Sequence, residues 1–219
     1  MILSALVTSG PTIERIDPVR YLTNDSSGKQ GYAIAKALAD AGVKVTLISG
    51  PVHITPPTNV NLIKVESANQ MHEASLQALP VDIAVCVAAV ADWCVSDIAP
   101  QKLKKEPDQN ELTLKLVKTP DILASLSTHK KRPKLVIGFA AESENIHENI
   151  KKKLASKGCD WIIANDISNN NVFGADDNEV HFVSHNTAQA WPRMAKVDVA
   201  NNIVKKIEAF LSQEQTQAL

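Results

Sequence analysis

No run of apolar residues in this 219-residue chain approaches the roughly 20 that a membrane-spanning helix needs. The first residues, Met1 to Val7, lack the charged segment and cleavage site of a secretory signal. Neither sign of charge is in excess: 23 Lys and Arg face 24 Asp and Glu, so there is no overall electrostatic case for nucleic acid or an acidic membrane. Cysteine is scarce and scattered. Cys86, Cys94 and Cys159 form neither a disulfide framework nor a zinc spacing, which points to a reducing cytoplasm. The six histidines, His53, His72, His129, His147, His181 and His185, show no metal-ligand spacing, and no Ser/His/Asp or Cys/His set stands out. There is no internal repeat and no low-complexity segment.

Two familiar nucleotide signatures are missing as well. No Gly-x-Gly-x-x-Gly follows the first apolar run, and Ser49-Gly50-Pro51 offers no acid for a ribose, which argues against a dinucleotide site. Gly28-Lys29 has Thr23 where a Walker loop needs its first glycine.

What is present is an alternation of apolar runs and helical patterns. Ile2–Val7, Val43–Ile48, Val60–Val65, Asp82–Val87, Leu135–Phe139 and Trp161–Ala164 read as strands. Gly28–Ala41, Ser67 to about Leu79, a segment opening at Thr119-Pro120-Asp121, and Ser143 or Glu144 to Lys157 read as helices between them. Such alternation predicts an α/β fold with a doubly wound, mainly parallel sheet. Glu179–Val183 and Ala188–Pro192 read as an antiparallel edge hairpin, and Asp198 as the cap of a last helix through about Leu211. Lys102–Lys105 and Leu112–Val117 flank the polar Glu106–Asn110 and read as a hairpin arm, spanning about residues 100–118, on a single domain of residues 1–219.

Ligands of such sheets bind beyond the C-terminal strand ends. The long segment Ser9–Gly31 lies there, with Asn24, Ser26 and Ser27 as candidate caps of the following helix. Gly28 and Gly31 would let a ligand approach the backbone. A helix start of this kind is an anion site. Ala88-Ala89-Val90-Ala91-Asp92 and Phe139-Ala140-Ala141-Glu142 follow two other strands. These small residues suit close approach of a flat ligand, or simply tight turns. Lys102, Lys104, Lys105, Lys151, Lys152, Lys153 and Lys157 are either counter-charges or solvated surface.

Taken together, Thr8-Ser9-Gly10-Pro11-Thr12, Ile16-Asp17-Pro18-Val19-Arg20-Tyr21, Asn24-x-Ser26-Ser27-Gly28-Lys29-x-Gly31, Ala88–Trp93, Lys102–Lys105, Pro120-Asp121-Ile122, Gly138–Glu142 and Ala164-Asn165-Asp166 resemble, in order, the bacterial phosphopantothenate–cysteine ligases. The resemblance covers almost the whole chain. It implies a Rossmann-like sheet with a flap that also forms a homodimer. It also implies a magnesium-assisted reaction in which CTP activates 4′-phosphopantothenate as an acyl-cytidylate that L-cysteine then attacks. Asn24 and Arg20 match catalytic positions, and with Ala89 they match substrate positions, Asn24 holding the acyl-cytidylate and Arg20 supporting its loop. Lys102 matches a catalytic position on the flap. Ser26, Ser27, Gly28, Cys86, Val87, Ala88, Asp92, Lys102, Pro120, Asp121, Ile122, Leu123, Phe139, Lys153 and Lys157 match nucleotide positions; metal ligands are not indicated. The family is often fused behind a flavin-dependent decarboxylase, so this chain is a stand-alone ligase or one domain of a larger protein. Two residues depart from the pattern: Cys94 stands where Arg is common, and Thr119 where Asn is frequent. Eukaryotic relatives use ATP and some relatives only regulate, so an ATP-dependent ligase and a non-catalytic homologue are the alternatives.

Overall fold

The computed structural model describes residues 2–105, 110–142, 146–166 and 176–217. The proposed arm tip, 106–109, and the proposed cap Ser143 or Glu144 therefore lie outside the described residues, as does 167–175 of the polar loop after the sixth predicted strand.

The chain begins with β1 (Ser4–Ser9), then a short antiparallel pair, β2 (Ile13–Asp17) and β3 (Arg20–Thr23), and helix α1 (Lys29–Asp40). β4 (Lys44–Ser49), β5 (Val60–Lys64), α2 (Ala68–Gln77) and β6 (Ile83–Cys86) follow. After β7 (Trp93–Val95) and β8 (Leu116–Lys118) come α3 (Ile122–Thr128), β9 (Leu135–Glu142), α4 (Ile146–Lys157) and β10 (Trp161–Asp166). β11 (Asp177–Ser184), β12 (Ala188–Ala195) and α5 (Lys196–Gln217) complete it. The main sheet has eight strands in the order β12-β11-β10-β9-β6-β1-β4-β5. The run from β10 to β5 is parallel, and β11 and β12 continue it antiparallel.

The strands are apolar without alternation because both faces of the sheet are covered. Successive residues go to opposite layers. Ala5 and Val7 of β1 join the layer beneath α1 and α5, while Leu6 joins the layer beneath α2, α3 and α4. Ile83 and Val85 of β6 divide from Ala84 in the same way, and Trp161 and Ile163 of β10 from Ile162. Each such aliphatic side chain, fully buried, contributes about 1.5–3 kcal/mol. α1 and α5 pack side by side on the first face. No helix of the described residues is long and apolar enough to cross a membrane.

The doubly wound sheet and the antiparallel edge are as predicted; several local expectations are corrected. Part of the Ser9–Gly31 segment is the β2–β3 pair rather than loop. The arm strands do not pair with each other: Lys102–Lys105 is irregular, and Leu116–Lys118 pairs with Trp93–Val95, whose residues offer a regular strand edge. α1 is capped by Gly28, not by Asn24, Ser26 or Ser27. Its φ of 74° is left-handed, which favours glycine. Gly31 serves packing, because a Cβ there would lie 2.3 Å from Ser9 Oγ. At α3 the cap is Asp121, whose Oδ1 accepts from Ala124 N at 3.0 Å, rather than Thr119. Asp198 falls in the first turn of α5 instead of at its cap. Ser67 does cap α2, in a reciprocal box with Gln70.

Candidate active site

Strand order reverses between β1 and β6: the chain leaves β1 for β4 on one side and returns at β6 on the other. The two loops that leave this switch point are stitched together. Ala89 N donates to Gly10 O at 2.9 Å and Thr12 N to Ala89 O at 3.2 Å. Thr12 Oγ1 accepts from Ala91 N at 3.0 Å, and Thr119 Oγ1 donates to Ala91 O at 2.6 Å. Thr119, one of the two departures from the family pattern, thus ties the start of α3 to the switch loop. Asn24 Nδ2 reaches across to donate to Ala89 O at 3.3 Å.

Around this seam lies a cavity of about 970 Å³. One wall is the entry to α1, where Ser26 Oγ accepts from Gly28 N at 3.3 Å and Ser9 Oγ donates to Gly28 O at 3.0 Å. The serine hydroxyls therefore shape the turn, Ser27 Oγ accepting from Lys29 N at 3.5 Å as well, and the start of α1 borders the space, the kind of helix end that suits an anion. The opposite wall is Phe139 of β9, the start of α3, and two lysines of α4. Lys153 pairs with Glu142 at 3.2 Å and Lys157 with Asp121.

Of the residues singled out from sequence, Asn24, Ser26, Ser27, Gly28, Cys86, Val87, Ala88, Ala89, Asp92, Pro120, Asp121, Ile122, Leu123, Phe139, Lys153 and Lys157 all line this cavity. Arg20 and Lys102 do not. Arg20 Nη1 donates to Asp17 Oδ2 at 2.7 Å and to Leu103 O at 3.1 Å, fixing the base of the arm. Lys102, the residue before Leu103, is exposed outside the cavity. Cys94, the other departure, lies half-buried in β7 and does not line the cavity. Cys86 does, but burial foremost, and then the nearby Cys159 and Asp121, push its thiol up to about 12, so it packs as a neutral wall rather than a nucleophile.

Sequence reasoning missed the lining residues Lys29, Gln30, Asn178 and Lys196 as functional candidates. Two of them come from β11 and α5, far along the chain from the motifs, and only the closure of the sheet brings them in. Among the described residues no group of three His, Cys, Asp or Glu side chains could hold a metal by itself. A magnesium ion carried on a triphosphate asks the protein for only one or two carboxylates. Asp25 and Asp92 line the cavity, and no ion pair engages either among the described residues. The donor set fits an ion delivered with its nucleotide.

A doubly wound sheet whose switch point opens into a cavity between a helix start and an aromatic and cationic wall defines a Rossmann-like α/β protein of the nucleotide-binding kind. Within that class, the chain belongs to the family described as DNA/pantothenate metabolism flavoprotein C-terminal domain, which it matches over residues 3–211. The Coenzyme A biosynthesis bifunctional protein CoaBC of Haemophilus influenzae is 45% identical over 206 residues, covering 94% of this chain and 51% of the relative. That of Bacillus subtilis is 42% identical over 212 residues, covering 95% and 52%. The chain thus spans about half the length of the curated relatives it matches. Its structure is similar to the crystal structure of the C-terminal domain of CoaBC, with a TM-score of 0.81, 38% identity and 96% of both chains covered. It is also similar to a DNA/pantothenate metabolism flavoprotein from Streptococcus pneumoniae, with a TM-score of 0.80, 25% identity, and 95% and 99% covered.

Proposed function

We propose that this chain, as a single domain of residues 1–219, joins 4′-phosphopantothenate to L-cysteine in coenzyme A biosynthesis. The observation that carries this reading is that one cavity holds both the helix start beside Asn24 and the Phe139, Lys153, Lys157 and Pro120–Leu123 wall. An activated carboxylate and its nucleotide need to share such a space. The relatives are named for coenzyme A biosynthesis, which supports the reading.

A carboxylate is a poor electrophile. In the first step an oxygen of the pantothenate carboxylate attacks the α-phosphorus of CTP; pyrophosphate leaves and an acyl-cytidylate remains. In the second, the cysteine nitrogen attacks the acyl carbon, the carbon–oxygen bond to CMP breaks, and the amine gives up one proton. Neither step asks a side chain to form a covalent bond, so the protein acts by positioning and by countering charge. The N–H groups at the start of α1 face the phosphates. Phe139 offers its ring face to the base, and Lys153 and Lys157 stand beside it. The Asn24 amide holds an oxygen of the intermediate, having only a backbone carbonyl to release. Asp25 and Asp92, both lining the cavity, would hold a magnesium ion, which would supply neutralisation of triphosphate charge. A second copy of the chain completes the assembly through the arm, and a flavin-dependent decarboxylase, fused or separate, supplies the companion step in the cytoplasm.

Pyrophosphate release, measured with 4′-phosphopantothenate, cysteine and each nucleotide in turn, tests the reading. CTP should support turnover far better than ATP. Equal rates with ATP would withdraw the base assignment, and silence with every nucleotide would withdraw the ligase.

A further inference from the structure

The motif Gly138–Glu142 ends on a carboxylate that the cavity lining does not include. Glu142 closes β9, downstream of Phe139 on the same strand, and its side chain is only 14% exposed. Both of its oxygens are taken up by α4. Oε1 accepts from Lys153 Nζ at 3.2 Å and Oε2 from Asn149 Nδ2 at 3.3 Å. Asn149, Lys153 and Lys157 stand on successive turns of one face of that helix. Lys157 is matched in the same way. Asp121 caps α3 through Oδ1, which accepts from Ala124 N at 3.0 Å, and holds Lys157 through Oδ2. The two lysines thus tie α4 to the end of β9 and to the start of α3, the elements that make this wall of the cavity.

Both lysines line the cavity, yet each ammonium already has its own carboxylate. That pairing decides which part of a nucleotide the wall suits. A phosphate arriving here would meet a carboxylate within a hydrogen bond of each ammonium, so the repulsion of one charge offsets the attraction of the other. An uncharged acceptor meets no such opposition. An ammonium carries three N–H donors; the carboxylate takes one and leaves two for a ligand. The carboxylate also fixes where those two point. A lysine held beforehand loses less rotamer freedom when the ligand arrives.

We propose that Lys153 and Lys157 hold the uncharged nucleoside end of the nucleotide, donating to the carbonyl of its base or the hydroxyl oxygens of its sugar, and that Glu142 is the positioning residue that fixes Lys153 for this contact. The inference rests on the nucleotide half of the ligation reading above. It divides the cavity by charge: the phosphates lie at the start of α1, and the nucleoside lies against Phe139 and the paired lysines. Glu142 acts only through Lys153, from behind the lining.

The test compares two probes on the whole chain by calorimetry, with magnesium and without phosphopantothenate or cysteine. One is CTP. The other is inorganic tripolyphosphate, which has the charge but no nucleoside. In Lys153→Met the ratio of CTP affinity to tripolyphosphate affinity should fall about tenfold or more, the scale of one lost hydrogen bond from a charged donor. In Glu142→Gln a negative charge leaves the wall and the lysine loses its anchor. Tripolyphosphate should then bind as well as before or tighter, and the ratio should fall again. A merely structural role for Glu142 weakens both probes together and leaves the ratio unchanged, which overturns its assignment. Lys153→Met alters a part-exposed side chain, so it carries the test even where Glu142→Gln fails to fold. An unchanged ratio in Lys153→Met makes that lysine a phosphate counter-charge or a bystander and overturns the proposal. So does tripolyphosphate that cannot displace CTP from the wild type, because the phosphates then have no seat of their own. A wild type that binds CTP but makes no product loses the ligation reading and keeps this one; a wild type that binds no CTP loses both.

Discussion

Under the proposed ligation, Asn24 is the residue on which the two steps would be told apart. Its side chain crosses the seam between the two switch-point loops to meet Ala89 O, while the proposed phosphate seat at α1 would be built from backbone and from the cap Gly28. Under that proposal, removing the amide donor would leave the nucleotide seat intact but take away a hold on the acyl phosphate. Asn24→Asp should fold, should still form acyl-cytidylate from CTP, and should fail to pass it to cysteine, because an aspartate can only accept and repels the phosphate. Quenched single turnovers with labelled CTP read this directly. A mutant that binds CTP but accumulates no mixed anhydride would place Asn24 in the first step. The same residue marks a limit of sequence reading. Asn, Ser and Ser before a helix are favourable caps by type, yet the cap is Gly28, because the tight approach of α1 to β1 sets a left-handed backbone that residue type cannot announce.

Among the elements, the arm is governed by a single carboxylate. Asp17 is fully buried in the turn of the β2–β3 pair. Its oxygens accept from Val19 N at 2.8 Å, Arg20 N at 2.9 Å and Leu103 N at 3.1 Å, besides the Arg20 guanidinium. Burial works to raise this carboxyl, but those hydrogen bonds and the Arg20 charge outweigh it and hold it below the ordinary 3.8. A depressed folded value means that the stability from this ion is present above about pH 4 and is lost as pH falls through the lower, folded value. Wild type should therefore release the arm in acid, seen as faster proteolysis near residue 103, whereas Asp17→Asn should show that release already at pH 7. An arm equally protected in the mutant would show that the latch lies elsewhere. Lys102 sits one residue from the latch, so Asp17→Asn and Lys102→Gln should both lower turnover, the second by about tenfold or more, the scale of one lost charge contact in a transition state. A Lys102→Gln protein at wild-type rate would leave that lysine on the solvated surface. The strands and helices of the main sheet were legible from periodicity. This arm was not, since Leu116–Lys118 finds its partner in Trp93–Val95, some twenty residues earlier in the sequence, and pairing of that range is not written in a local pattern.

At the scale of the whole molecule, most of the cavity was legible because the motifs follow strand ends, and a doubly wound sheet gathers strand ends at one edge. Asn178 and Lys196 escaped because they belong to the antiparallel edge and the last helix, which carry no motif. Arg20 and Lys102 show the reverse case: the motifs named them, and the single chain leaves them outside the cavity. The face beside them is unusually apolar. Val19, Tyr21, Trp93, Ile98, Leu112, Leu116 and Val117 are all large and exposed, Ile98 at 62% and Trp93 at 47%. They lie on or next to β2, β3, β7 and β8, elements that neighbour one another. A patch of this kind on a strand edge calls for cover, and a second copy related by a two-fold axis would bring its own arm to the same face. The chain should sediment as a dimer at micromolar concentration, and a monomer there would remove this argument. If each arm serves the partner's cavity, mixing decides it. Asn24→Asp and Lys102→Gln homodimers are each impaired. In a one-to-one mixture about half of the molecules are heterodimers, and two-fold symmetry gives each of these one site with both residues intact. Product formation should then recover to about a quarter of wild type after subunit exchange. If Lys102 serves its own chain, every site in the mixture carries one lesion, and the mixture stays at the average of the two mutants.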